Sequence, residues 1–294
     1  MRSLLCVLLC LSLSGGVLDP AHRSGDYQFN LAAPPPPPAD VCSFRWRSGV
    51  EFIARYSDNK GNLRRHGGMP PSAMARDRSL LVIHVGKTGG SSLLRMLRAA
   101  GVPHSDVHLF SVREDIIRSY DSIVVTVRDP LERTISAFNW DNPWSESGRA
   151  HRKKNFSHFY HHFPNINAYA ENLTADTALG AVARRAEGHI ALDTCYYVGG
   201  VIDTLRRHGN VFVVDAASFQ EDITQLSNRL GWNLDFRSSI PMVNKAQKDI
   251  SVTCLTEKNE ERLRGHLSYI GEYEIFHTLR KFFGVVNSHD GKKT

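Results

Sequence analysis

The stretch that most constrains this chain is residues 80–101. Leu80-Leu81-Val82-Ile83-His84-Val85 is an almost unbroken apolar run of strand length, the pattern of a strand buried on both faces of a parallel sheet. Gly86-Lys87-Thr88-Gly89-Gly90-Ser91-Ser92 follows without a spacer. Leu93, Leu94, Leu97 and Ala100 then recur at helical spacing until Gly101 ends the helix. A buried strand, a glycine-rich turn and an amphipathic helix in direct succession form a βα unit. Such units assemble through right-handed crossovers into a parallel sheet covered by helices.

Two further units repeat the order. Ser122-Ile123-Val124-Val125-Thr126-Val127 reads as a strand with Arg128 at its carboxyl end. Asp129 is placed to cap the next helix, Pro130 suits its first position, and Leu131, Ile135 and Phe138 give it an apolar face. Val211-Phe212-Val213-Val214 reads as a third strand. Ser218 with Glu221 has the spacing of a capping box, followed by the stripe Phe219, Ile223, Leu226 and Leu230 and a closing Gly231. The fold class expected is therefore α/β, three-layered around a central parallel sheet. Ligands of such sheets bind beyond the carboxyl ends of the strands, where both the Gly86–Ser92 loop and Arg128 fall.

The Gly86–Ser92 loop has the composition of an anion site. Glycines let the backbone approach an anion closely, and the following helix offers unsatisfied amides. Lys87 adds a mobile positive charge, and Thr88, Ser91 and Ser92 add hydroxyls. A Walker loop for ATP or GTP places a glycine where Leu81 stands and has no glycine pair after its lysine, so that pattern is not met. The alternative without function is a bare strand-to-helix turn, for which the lysine and hydroxyls are unneeded. Arg128 offers a fork suited to a second phosphate, with Ser136 two turns along the next helix.

These residues carry a resemblance. Ile83-His84-Val85-Gly86-Lys87-Thr88-Gly89-Gly90-Ser91-Ser92 resembles the 5′-phosphosulfate loop of carbohydrate sulfotransferases, with the nearest likeness to the heparan sulfate 2-O- and 6-O-sulfotransferase superfamily. Val127-Arg128-Asp129-Pro130-Leu131-Glu132-Arg133-Thr134-Ile135-Ser136 resembles the 3′-phosphate motif of the same family. The likeness runs from about Ser79 to Gly284 and is weaker after Trp140. It implies a P-loop-nucleotide-hydrolase-like sulfotransferase fold. It further implies in-line transfer of a sulfuryl group from 3′-phosphoadenosine 5′-phosphosulfate (PAPS) to a hydroxyl of a carbohydrate. Gly86, Lys87, Thr88, Gly89, Gly90, Ser91, Ser92, Arg128 and Ser136 are then the donor-binding residues, and Asn244 and Lys245 add a further contact. Lys87 stabilises charge on the departing phosphate, and no metal is needed.

The family's histidine base lies between the two phosphate motifs, an interval that here holds His104 and His108, with Glu114 as a carboxylate alternative. Val107-His108-Leu109-Phe110 reads as a short extended piece in which His108 points away from its neighbours, so His108 is the choice. His104, after Pro103, reads as a turn residue, and His84 as buried behind the loop. Arg133 is expected to pair near Glu132 or Asp129, and His189, before Cys195-Tyr196-Tyr197, to be structural.

The rest of the chain sets the context. Arg2, the apolar run Leu4–Leu13 and the small residues Ser14, Gly15 and Gly16 describe a signal peptide, or a short signal anchor, over residues 1–16. Residues 17–78 form a stem containing the proline run Pro34–Pro38, which favours an extended spacer. The sulfotransferase domain spans 79–284 and a tail 285–294. A secretory-pathway location follows, in the Golgi lumen, at its membrane or beyond the cell. Asn155-Phe156-Ser157 and Asn172-Leu173-Thr174 are then glycosylation acceptors. Beyond the leader stand Cys42, Cys195 and Cys254, enough for one disulfide whose pair the sequence does not choose. The net charge of +6 and pI near 9.1 suit an anionic partner. The partner implied is a carbohydrate acceptor, anionic or not; nucleic acid is not implied, and a membrane only through the N-terminal anchor.

His158, His161 and His162 have helical spacing, but the closed ligand set of a metal site is missing, and Arg149–Lys154 reads as a solvated loop. Two rival functions stay open: a lumenal kinase or nucleotide hydrolase, and a catalytically inactive glycan-binding relative.

Overall fold

The computed structural model describes residues 80–109, 111–145, 157–232 and 255–284. The leader, the proline-containing stem, Cys42, Asn155, the Arg149–Lys154 run, Asn244, Lys245, Cys254 and the tail lie outside the described residues. The described residues form two compact units. One comprises residues 80–109, 111–137, 187–232 and 267–284; the other comprises 138–145, 157–186 and 255–266.

Among the described residues the first unit holds four strands, β1 (Leu80–His84), β2 (His104–Val107), β3 (Ser122–Val127) and β4 (Val211–Asp215). All are parallel, in the order β2-β1-β3-β4. Alternate strand residues face opposite layers. Leu81, Ile83, Ile123, Val125, Val211 and Val213 pack on one side with helices α2 (Glu114–Arg118), α8 (Thr194–Val198), α9 (Ile202–His208) and α12 (Glu272–Phe283). Leu80, Val82, Val124, Phe212 and Val214 pack on the other with α1 (Gly90–Ala99) and α10 (Phe219–Leu230). β1, β3 and β4 are largely apolar because both of their faces are covered, and each fully buried aliphatic side chain contributes roughly 1.5–3 kcal/mol. The α/β expectation with a central parallel sheet holds, and the helices lie on both of its faces.

The order matters for function. From β1 the chain moves outward to β2 with α1 on one face, then crosses back to β3 with α2 on the other. That reversal is what right-handed crossovers require when the direction of winding changes. The switch point, where a crevice opens, lies between the carboxyl ends of β1 and β3. His84 pairs with Thr126, so Gly86 and Arg128 leave the sheet side by side, each two residues further on.

Three local expectations are corrected. Apart from Val107, read as the start of an extended piece, β2 was not expected; its polar run His104-Ser105-Asp106 is only half-buried, and among the described residues it pairs with β1 alone. His104 is therefore a strand residue rather than a turn residue, and His108 directly follows the strand's end. The Ser218–Glu221 capping box does not form: Asp222 instead accepts from the Asp215 amide at 2.7 Å and the Ser218 hydroxyl at 2.9 Å. The Asp129 cap does form, accepting from the amides of Leu131 and Glu132 at 3.0 and 3.1 Å at the start of α3 (Pro130–Asp141).

The second unit contains α4 (Ser157–His162), α5 (Ile166–Leu173) and α6 (Ala178–Arg185), with parts of α3 and α11 (Glu257–Tyr269). Its core is aromatic: the Phe138 and Tyr160 rings meet edge-on at 5.0 Å, and Phe159 lies 4.9 Å from Phe163. Asn259 ties α11 to α5 through Asn167 and Glu171, each at 3.1 Å.

The sheet unit also holds a buried ionic cluster. Glu272, at the start of α12, accepts from the Cys195 and Thr194 amides at 2.7 and 3.1 Å, and Asp193 caps α8 through the Tyr196 amide at 2.9 Å. Burial, and then the charge of Asp193, raise the Glu272 carboxyl to about 7, against the attraction of Arg133. The Cys195 thiol is buried and donates to Ile270 O at 3.6 Å. A carboxyl raised on folding stabilises fully below its unfolded value and loses that contribution as pH rises through its folded value. Glu272→Gln does not titrate, so its stability relative to wild type should improve between pH 5 and pH 8. Urea unfolding at the two pH values measures this; a constant difference would show that Glu272 does not titrate as described.

Candidate functional site

The turn from β1 into α1 is built on two residues in the left-handed region, Lys87 at φ 71° and Gly89 at φ 87°. For an L-residue that conformation costs roughly 1–2 kcal/mol, and it is held by Thr88 between them. The Thr88 hydroxyl is fully buried, donates to Val85 O at 2.6 Å and lies 2.6 Å from the Thr126 hydroxyl on β3. Thr88 thus spends its hydroxyl inside the protein; what it can offer an anion is its backbone amide. Alternating backbone twists of this kind aim successive amides at one point. No side chain caps α1, so its first amides join that set. Lys87 is half-buried, Ser91 is exposed and Ser92 is half-buried at this end of α1.

Gly86 and Gly90 are required by the imidazoles around them. A Cβ on Gly90 would lie 2.1 Å from His84 Cδ2, and one on Gly86 would lie 2.8 Å from His189 Cδ2 and 3.8 Å from His108 Cε1. Three histidines therefore ring the loop. His84 stacks on His108 with centroids 4.2 Å apart and planes 14° apart, and His189 lies 5.9 Å beyond His108. Burial, and then the neighbouring His108, His189 and Lys87, hold His84 well below the usual histidine range. His84 is consequently a neutral packing surface for His108.

His108 sits where a base is needed. Its Nδ1 is 3.0 Å from the His84 carbonyl. A carbonyl can only accept, so Nδ1 carries the proton and Nε2 is the basic nitrogen. His104 lies on β2, and its Nδ1 bonds Val102 O at 2.8 Å. Glu114 starts α2 and pairs with Arg118 at 3.0 Å on the exposed surface.

Arg128 is partly exposed at the end of β3. Its Nε and Nη2 donate to Glu132 Oε2 at 3.2 and 3.1 Å, a surface pair worth about 0–1 kcal/mol that a doubly charged phosphate can displace. Ser136 is half-buried on α3. Arg133 does not pair near Glu132 or Asp129. It is 1% exposed, and its Nη2 donates to the carbonyls of His189 at 2.7 Å and Leu192. It thereby fixes α7 (Gly188–Ala191), which carries His189.

Sequence reasoning missed the parts contributed by residues far along the chain. His189 was read as structural, yet its ring meets Gly86. Tyr197, on α8, accepts from Leu109 N at 3.0 Å beside His108. No local signal marks either residue; the only hint for His84 was a polar residue closing an apolar strand before a glycine. Among the described residues no cluster of three or more His, Cys, Asp or Glu is placed to hold a metal ion.

The glycine geometry makes a graded prediction. Gly90→Ala drives a methyl into a buried ring and should cost about 1–3 kcal/mol, lowering the melting temperature by roughly 2–6 °C. Gly86→Ala meets only the edge of the half-buried His189 ring and should cost less. Thermal unfolding of both variants gives the order, and the reverse order would contradict the packing of His84 under Gly90. No protein-family model, no curated protein and no solved structure matches the chain.

Proposed function

We propose that this chain is a PAPS-dependent sulfotransferase, with the P-loop-nucleotide-hydrolase-like sulfotransferase fold, that acts on a carbohydrate hydroxyl in the secretory pathway. The observation that carries the reading is the juxtaposition at the switch point of the sheet. Two anion-binding turns, Gly86–Ser92 after β1 and Arg128 after β3, leave adjacent parallel strands. An imidazole with a basic Nε2 stands beside the first. A donor with separated 5′ and 3′ anions suits two such turns, and a hydroxyl acceptor needs the base.

In this scheme the loop amides and Lys87 bind the 5′-phosphosulfate, and Arg128 with Ser136 binds the 3′-phosphate. The acceptor oxygen attacks sulfur as its proton passes to His108 Nε2. The bond between sulfur and the bridging oxygen breaks, and the electron pair leaves on the 5′-phosphate facing Lys87. The products are a sulfate ester and 3′-phosphoadenosine 5′-phosphate. Catalysis comes from positioning and from charge stabilisation where negative charge develops.

Titration calorimetry tests the donor site. 3′-Phosphoadenosine 5′-phosphate should bind at least about tenfold more tightly than ATP. Arg128→Ala should remove about 1.5–3 kcal/mol of that affinity while leaving ATP binding unchanged. Equal affinities in wild type would favour the kinase or hydrolase reading instead. Steady-state sulfate transfer tests the chemistry. Lys87→Ala should lower kcat by roughly a hundredfold to a thousandfold with a smaller change in donor affinity. His108→Ala should lower kcat by about a hundredfold or more with donor affinity intact. A Lys87 defect confined to binding would remove its assigned role.

A further inference from the structure

We infer that Tyr197 is the positioning residue that orients the base beside the glycine loop; the inference rests on the sulfotransferase reading of this site. Tyr197 lies on α8, 1% exposed, about a hundred positions along the chain from the loop it serves. Its phenol oxygen accepts from the Leu109 amide at 3.0 Å and stands 3.5 Å from His108 Nδ1. That hydroxyl therefore contacts both the base and the residue that follows it.

Backbone conformation shows why such an anchor is needed. Leu109 is held at φ 71°, a region that a leucine adopts only under constraint. That twist ends β2 sharply and turns the His108 ring back over His84, so that Nδ1 reaches the His84 carbonyl. The Leu109 amide is the group that the twist leaves facing Tyr197, and the phenol holds it there. Burial raises the phenol well above its ordinary range, so it stays protonated and uncharged across the working pH.

The helix bearing Tyr197 is itself fixed at its base. Glu272 holds the Thr194 and Cys195 amides, Asp193 holds the Tyr196 amide, and the Tyr197 amide continues the helix to Asp193 O at 3.3 Å. The neighbouring Val112 amide donates to Tyr197 O at 2.9 Å, so the segment after β2 is tied to α8 at both the side chain and the backbone of Tyr197. Tyr197 touches no reacting atom; it acts by fixing the direction of His108 Nε2 relative to Gly86.

Tyr197→Phe removes the hydroxyl and keeps the ring in its core position. In the full chain this variant should keep its fold by near-ultraviolet circular dichroism and keep its affinity for 3′-phosphoadenosine 5′-phosphate within about threefold. Its kcat should fall between about tenfold and a hundredfold, the scale of a misplaced catalytic group. Imidazole nitrogen spectra should show His108 changing from a single Nδ1–H tautomer to a mixture. Adding Leu109→Gly, which adopts the left-handed twist without strain, should restore part of kcat and of the single tautomer; a role of Tyr197 in packing alone gives no such rescue. Unchanged kcat with unchanged His108 resonances in Tyr197→Phe overturns the inference, and so does an impaired variant that Leu109→Gly fails to rescue. If the wild-type chain transfers no sulfate at all, the functional reading fails, and the His108 tautomer alone then decides whether Tyr197 positions it.

Discussion

The Thr88 hydroxyl, fully buried between two strands, is the interaction on which the candidate site depends. It bonds the carbonyl of Val85 and the hydroxyl of Thr126, and so fixes the turn after β1 to the neighbouring strand β3. With Thr88 locked, Lys87 and Gly89 are forced to positive φ on either side of it. The switch point of a parallel sheet supplies a crevice, and a buried threonine that spends its hydroxyl on structure shapes the turn that borders it.

Around that turn the molecule places three imidazoles, and their differing environments separate their roles. His84 is enclosed and neutral, and serves as a floor. His108, stacked on it, has one nitrogen committed to a carbonyl. His189 flanks Gly86 from a short helix whose carbonyls are held by the buried Arg133. Arg133, Glu272 and Asp193 form an ionic cluster behind the site whose main work is to fix α7 and α8. Such a cluster is costly to bury and strongly destabilising to break on one side only, so the second layer of the site is as demanding as the first.

Much of this was legible in the sequence, and the reasons are local. β1, the Gly86–Ser92 turn and α1 are adjacent in the chain, and so are β3, Arg128 and the Asp129 cap; periodicity and turn chemistry suffice to read them. β2 was missed because an edge strand needs no continuous apolar run, and His104-Ser105-Asp106 carries none. The Ser218 cap was misassigned because the Ser218 hydroxyl is drawn to the Asp222 carboxylate, one residue beyond Glu221. Arg133 was placed with its sequence neighbours, whereas its partners lie on α7. Tyr197 and His189 were out of reach, since only the folded sheet brings α7 and α8 against the β1 turn. His108 was chosen from the resemblance and from the extended look of residues 107–110; its stack on His84 and its bond to the His84 carbonyl were not legible there.

The most direct measurement is transfer of labelled sulfate. The purified chain is incubated with PAPS labelled in sulfur and a panel of neutral and anionic polysaccharides, beside His108→Ala under the same conditions. A hydroxyl-bearing acceptor should gain label with the wild-type chain and none above background with His108→Ala. Absence of label from every acceptor, while ATP labelled in its terminal phosphate is hydrolysed or transfers its phosphoryl group, would contradict the sulfotransferase assignment.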